Sequence, residues 1–136
     1  MRNAKLGGVL AVGMAAVMAF PAISQQVPIE EAAIGAANVR LYLHPFLAPD
    51  EVATLRLVMT NEQALALFVP NSSGFAALAA APAEGVIRDG SPVASAIALA
   101  EMPDAAAAAK AATAACDAAR KTDAACVVVL EVSPIN

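Results

Sequence analysis

Apolar and polar positions change period along this chain, and the changes mark out its elements. Leu6 to Phe20 is an apolar run without charge. Ile29-Glu30-Glu31-Ala32-Ala33-Ile34 is rich in helix formers and predicts a short helix, which Gly35 stops. Val39, Leu41 and Leu43 then alternate with Asn38, Arg40 and Tyr42, the pattern of a strand with one buried face. His44-Pro45 ends it, since proline has no N–H to donate to a ladder. Ala48-Pro49-Asp50-Glu51 is a helix start, with proline in the first turn and two acids where the dipole favours them. Val52, Leu55, Val58 and Met59 follow at i, i+3, i+6 and i+7, so the helix runs to about Glu62. From Gln63 to Phe68 the strand and helix readings balance. Pro70-Asn71-Ser72-Ser73-Gly74 reads as a loop.

The second half is dominated by alanine. Phe75 to Ala81 reads as a strand because it is short and bracketed by turn residues. Pro82-Ala83-Glu84-Gly85 and Asp89-Gly90-Ser91-Pro92 are turns, and Val93 to Ala100 is a second strand antiparallel to the first. Asp104 is the natural N-cap of a helix over Ala105 to Ala119. Lys110, Thr113, Asp117, Arg120 and Lys121 make its solvated side, with Asp117 and Lys121 spaced for an i,i+4 ion pair. Its other side (Ala105, Ala108, Ala109, Ala112, Ala115, Ala119) is nearly flat. Thr122-Asp123 turns the chain, Val127-Val128-Val129-Leu130 is β-branched enough for a central strand, and Pro134 ends it. The fold class expected is α+β: an antiparallel or mixed sheet of three to four strands with two helices on one face. Residues 25–136 form one domain, with a strand and helix over 38–70 and a strand-strand-helix-strand unit over 75–134.

The N-terminus changes the compartment. Arg2 and Lys5 precede the apolar run, Pro21 breaks it, and Ala22-Ile23-Ser24 offers small residues before a cut at Gln25. That is the layout of a secretory signal peptide over residues 1–24. Its about 15 apolar residues are short for a membrane span, which needs about 20. The expected location is therefore periplasmic or secreted, with no membrane attachment after cleavage. Cleavage removes two of the 8 basic residues and none of the 12 acidic ones. The resulting acidic, interspersed charge argues against nucleic acid, which needs a basic footprint. Of the aromatic residues beyond the leader only Tyr42, Phe46, Phe68 and Phe75 are present, and there is no Trp. Alanine buries little area, so the core is weakly driven and a covalent staple matters.

Cys116 and Cys126 are the only cysteines, and in an exported chain they are expected to pair. A helix-turn-strand path brings them together around a loop of about 11 residues. A catalytic dithiol fits poorly: redox motifs use C-x-x-C, and the C-terminal end of a helix disfavours thiolate. His44 is the only histidine, so no four-ligand zinc set exists and no metal is expected. A hydrolytic site would have to combine His44 with Ser72 or Ser73, which lack the G-x-S-x-G elbow. Asp50-Glu51 and Glu30-Glu31 read more simply as helix-start charges than as an acid/base pair. No Gly-rich phosphate loop lies outside the leader, and no cofactor is expected.

Phe75-Ala76-Ala77-Leu78-Ala79, the Pro82–Gly85 turn, the helix ending at Cys116 and the strand led by Cys126 carry a resemblance. The chain resembles small exported bacterial domains of unknown function over about Phe75 to Pro134. That resemblance implies a helix packed on a small sheet with paired cysteines, and brings no catalytic residues. Phenylalanine stands at position 75 where the group usually has tyrosine. Similar chains are sometimes labelled 5-aminolevulinate synthase, and the residues argue against that. A pyridoxal-phosphate enzyme needs a buried Schiff-base lysine, whereas Lys110 and Lys121 fall on a solvated helix side. The expected function is a non-enzymatic module that binds a protein or an envelope component; the alternative is a small hydrolase using His44 and a loop serine.

Overall fold

The protein is represented by a computed structural model, and the residues described are 26–69 and 74–135. The expected leader (1–24) and the loop serines Ser72 and Ser73 lie outside them. The elements in chain order are β1 (Ile29–Ile34), β2 (Ala37–Tyr42), α1 (Pro49–Thr60), α2 (Glu62–Phe68) and β3 (Phe75–Ala80). Then come the two-residue strands β4 (Ile87–Arg88) and β5 (Ser91–Pro92), β6 (Ile97–Met102), α3 (Ala105–Ala119) and β7 (Val127–Pro134).

The fold is α+β, as the alternating and helical patterns imply. Its sheet has five strands in the order β1-β2-β7-β3-β6, every neighbouring pair antiparallel, rather than three or four. The additional strand is β1, the stretch whose glutamates and alanines favour helix. Six residues are too few to hold a helix without tertiary contacts, and here tertiary pairing decides. Gly35, at φ +56°, closes a two-residue hairpin that lays β1 along β2 from Ile29↔Tyr42 to Ile34↔Ala37. Arg56 and Arg40 then hold Glu30 and Glu31, each at 2.6 Å. Gln63 to Phe68 resolves as helix: Asn61 caps it by accepting from the Ala64 N–H at 3.0 Å. The Asp89-Gly90 turn stands, inside the tiny β4–β5 hairpin.

The helices do not share one face. Ala76, Leu78 and Ala80 of β3 join a core with Val39, Leu41, Leu130, Leu55, Met59 and Leu65, so α1 and α2 cover that side. Ala77, Ala79 and Ala81 point the other way, against Ala108, Ala112 and Cys116 of α3. The reason lies in β3, which is buried on both sides and therefore needs a helix layer above and below. Its alanines let α3 approach closely. In β7 a register shift opposite Leu78 and Ala79 leaves Val129 and Leu130 adjacent and both fully buried.

Candidate functional site

α3 packs chiefly on β3, β6 and β7, so on its side most of β1 and β2 is left uncovered. The alternation of β2 that sends Val39 and Leu41 into the core sends Asn38, Arg40 and Tyr42 onto this open face. Strand register places Glu31 beside Arg40, and Glu131 of β7 on its other flank. Arg40 Nε donates to Glu31 Oε1 at 2.6 Å, and the Tyr42 hydroxyl donates to Glu131 Oε2 at 2.9 Å. A depression of about 180 Å³ lies between this row and the start of α3, lined in part by Arg40, Phe75, Ala105, Glu131 and Ser133.

The electrostatics keep this row in fixed charge states. The Glu31 hydrogen bond, then the charges of Glu31 and Glu131, hold the Arg40 guanidinium above its ordinary range. Burial pushes the Tyr42 phenol up, and its hydrogen bond to Glu131 adds to this, so it remains a neutral donor. A guanidinium between two carboxylates with a phenol alongside can hold polar groups by complementary hydrogen bonds.

His44 continues the row. Its ring stacks between Tyr42 and Phe46, with centroids 6.3 Å and 5.3 Å away. Its Nε2 lies 2.8 Å from the Val128 carbonyl, which can only accept, so Nε2 carries the proton. This half-buried histidine fastens the end of β2 to β7. Cys116 and Cys126 are brought together, sulfurs 2.05 Å apart, in a disulfide. Lys110 and Lys121 are both exposed. Asp117 pairs with Arg120 at 2.9 Å rather than with Lys121. Arg120 also donates to the Thr122 carbonyl, which turns it back along the same loop. Among the described residues no group of three or more His, Cys, Asp or Glu side chains could hold a metal ion. Among them, too, no helix is long and apolar enough to cross a membrane.

Three carboxylates that the sequence marks only as a helix-start charge (Glu51), a turn residue (Glu84) and a solvated-side residue (Asp117) turn out to be ties. Glu51, 1 % exposed, accepts from the backbone N–H groups of Ala48 (3.1 Å), Val86 (2.5 Å) and Ile87 (2.9 Å). Glu84 accepts from the Ser95 and Thr122 hydroxyls and from the Lys121 and Thr122 N–H groups. Asp117 accepts from the Cys126 N–H at 2.9 Å. Burial pushes Glu51 up, but its three backbone donors and the charge of Arg88 outweigh burial and hold it below the ordinary carboxylate range. The Thr122 hydroxyl lowers Glu84 most, and the Cys126 N–H lowers Asp117 most.

In all three the folded form binds protons more weakly than the unfolded chain, so stability rises with pH through their titration. The contribution is complete above the unfolded values, about 4.3 for Glu and 3.9 for Asp, and is lost as pH falls through the lower folded ones. Thermal midpoints are expected to be level from pH 7 to about 5 and to fall steadily below about 4.5. A midpoint unchanged at pH 3 contradicts this. No family model, curated protein or solved structure matches the chain.

Proposed function

We propose that this protein is a non-enzymatic binding module of the periplasm or cell exterior, a relative of the small exported domains it resembles. Its contact surface is the open face of β1 and β2 with the bordering Glu131 of β7, and its partner is a protein or another envelope component with mixed polar character. The observation that supports this is the bare half-face itself. The central strand β3 is covered on both sides, yet here Glu31, Arg40, Tyr42 and Glu131 form a linked polar row in shallow relief. The disulfide and the leader-like N-terminus support an oxidising compartment.

Immobilised protein exposed to envelope fractions is expected to retain a discrete component. Arg40→Glu and Tyr42→Ala should abolish retention, since the first reverses the central charge and the second removes a donor and ring. Lys110→Glu, on the exposed side of α3, should leave retention unchanged. A protein inert toward every envelope fraction, or capture indifferent to Arg40 and Tyr42, would overturn the proposal.

A further inference from the structure

Among the described residues the sheet has two edges, β1 and β6, and they are built differently. On β6 the pairing with β3 shifts register between Phe75 and Ala77, and Glu101 takes φ +60°. A bulge with a left-handed residue twists an edge away and discourages further strands. On β1 the register runs unbroken over six residues, with no proline, lysine or bulge. The Leu43 N–H bonds the Pro28 carbonyl, so by alternation residues 30, 32 and 34 direct their backbone groups to β2. The N–H and C=O groups of Ile29, Glu31 and Ala33 point outward. Ile29 is also 48 % exposed.

We propose that β1 is the docking edge for a second copy of this chain, the two β1 strands pairing antiparallel about a two-fold axis at Ala32. The pattern Ile-Glu-Glu-Ala-Ala-Ile is self-complementary in that register. Glu31 faces Ala33 of the second copy, Glu30 faces its Ile34, and Ala32 faces Ala32. No like charges oppose each other, and each glutamate already has an arginine of its own chain. Sliding by two residues, to a centre at Glu31, sets Glu31 directly against its own copy, a destabilising pair.

The layer above the strands fits as well. α1 contacts both β1 and β2, so it lies over the pair. With strands about 4.8 Å apart, the two copies of α1 then stand about 10 Å apart, the ordinary helix packing distance. An open groove of about 440 Å³ runs beside β1, lined by Glu30, Glu31, Ala32, Arg56, Met59 and Thr60. The second α1 fills it. On the opposite side the two bare half-faces merge into one surface of four strands, with Arg40 of each copy flanking the axis. Self-pairing needs no other partner, so it stands or falls separately from capture of an envelope component.

Sedimentation of the purified protein from micromolar to about millimolar concentration should show a monomer–dimer equilibrium. Ala33 is exposed and faces Glu31 of the second copy, so Ala33→Glu should weaken the dimer roughly tenfold and Ala33→Lys should tighten it. Ala32→Cys should form a covalent dimer on oxidation, because a non-hydrogen-bonded pair on the axis brings the two sulfurs within bonding reach. A monomer at every concentration overturns the proposal, and so does self-association indifferent to the charge at position 33. A monomer that instead takes an extended peptide of another protein along β1 overturns it too.

Discussion

Glu51→Ala is expected to destabilise the fold by about 3–5 kcal/mol, more than loss of any other single acid described. Its carboxylate is the only acceptor described for the N–H groups of Val86 and Ile87, and it closes the start of α1 through Ala48. Removing it leaves three donors unpaired in a site 1 % exposed, at about 1–3 kcal/mol each, offset in part because a buried charge goes too. The site cannot collapse to compensate. Gly85, at φ +76°, already brings its Cα so near that a β-carbon there would stand 2.8 Å from Glu51 Oε2. Glu51→Gln should lose less, since one oxygen still serves Val86 and Ile87 while an NH₂ group faces the Ala48 N–H. Urea unfolding of the three proteins checks the order. A Glu51→Ala protein within about 1 kcal/mol of the parent would show that the loop over 82–88 is not held through this carboxylate.

Reduction of Cys116–Cys126, or Cys116→Ala with Cys126→Ala, is expected to cost about 2.5–3 kcal/mol on the chain-entropy account of so short a loop. For a domain of this size that is a fall of roughly 10–20 °C in thermal midpoint. The loss should not spread evenly. α3 meets the sheet through Ala108, Ala112 and Cys116 against Ala77, Ala79 and Ala81, a contact between methyl groups that buries little area per residue. Hydrogen exchange should therefore rise first in α3 and the Arg120–Cys126 turn, while β2 and β7 keep their protection. The Asp117 bond to the Cys126 N–H spans the same junction and retains part of the docking after reduction. A fully reduced, thiol-labelled protein that melts with the parent would contradict this account.

These two ties differ in how far they could be read from residues alone. The disulfide was legible because cysteines are rare, the leader-like start implies an oxidising compartment, and a helix-turn-strand path closes a short loop. Glu51 was legible only as half of a helix-start pair with Asp50. Asp50 is exposed and Glu51 is buried, yet both have the same local spacing relative to Pro49. What separates them is the loop over 82–88, more than thirty residues away, and nothing near Glu51 announces it. Glu84 is similar: it sits in a turn that composition marks well, but its partners Ser95, Lys121 and Thr122 come from two other segments.

The open face shows the same division. The alternation with Val39 and Leu41 puts Asn38, Arg40 and Tyr42 on the solvent side of a strand, and the structure has them there. Their neighbours are not legible in the sequence, because the glutamates and alanines of β1 favour helix. Only the pairing across Gly35 makes it a strand and sets Glu31 against Arg40.

Periodicity and turn chemistry were sufficient for β2, β3, α1, α3 and β7, because each carries its burial pattern or its caps within its own residues; for the strand expected over Val93 to Ala100 they reach only its overlap with β6, Ile97–Met102. Strand order, the split of the helices between two faces and the identity of the bare surface required the tertiary structure. An alanine strand such as β3 presents the same small side chain in both directions, so nothing local says that both sides will be covered. Its neighbours decide that: α1 and α2 on one side, α3 on the other, with α3 too short of β2 to close the second layer.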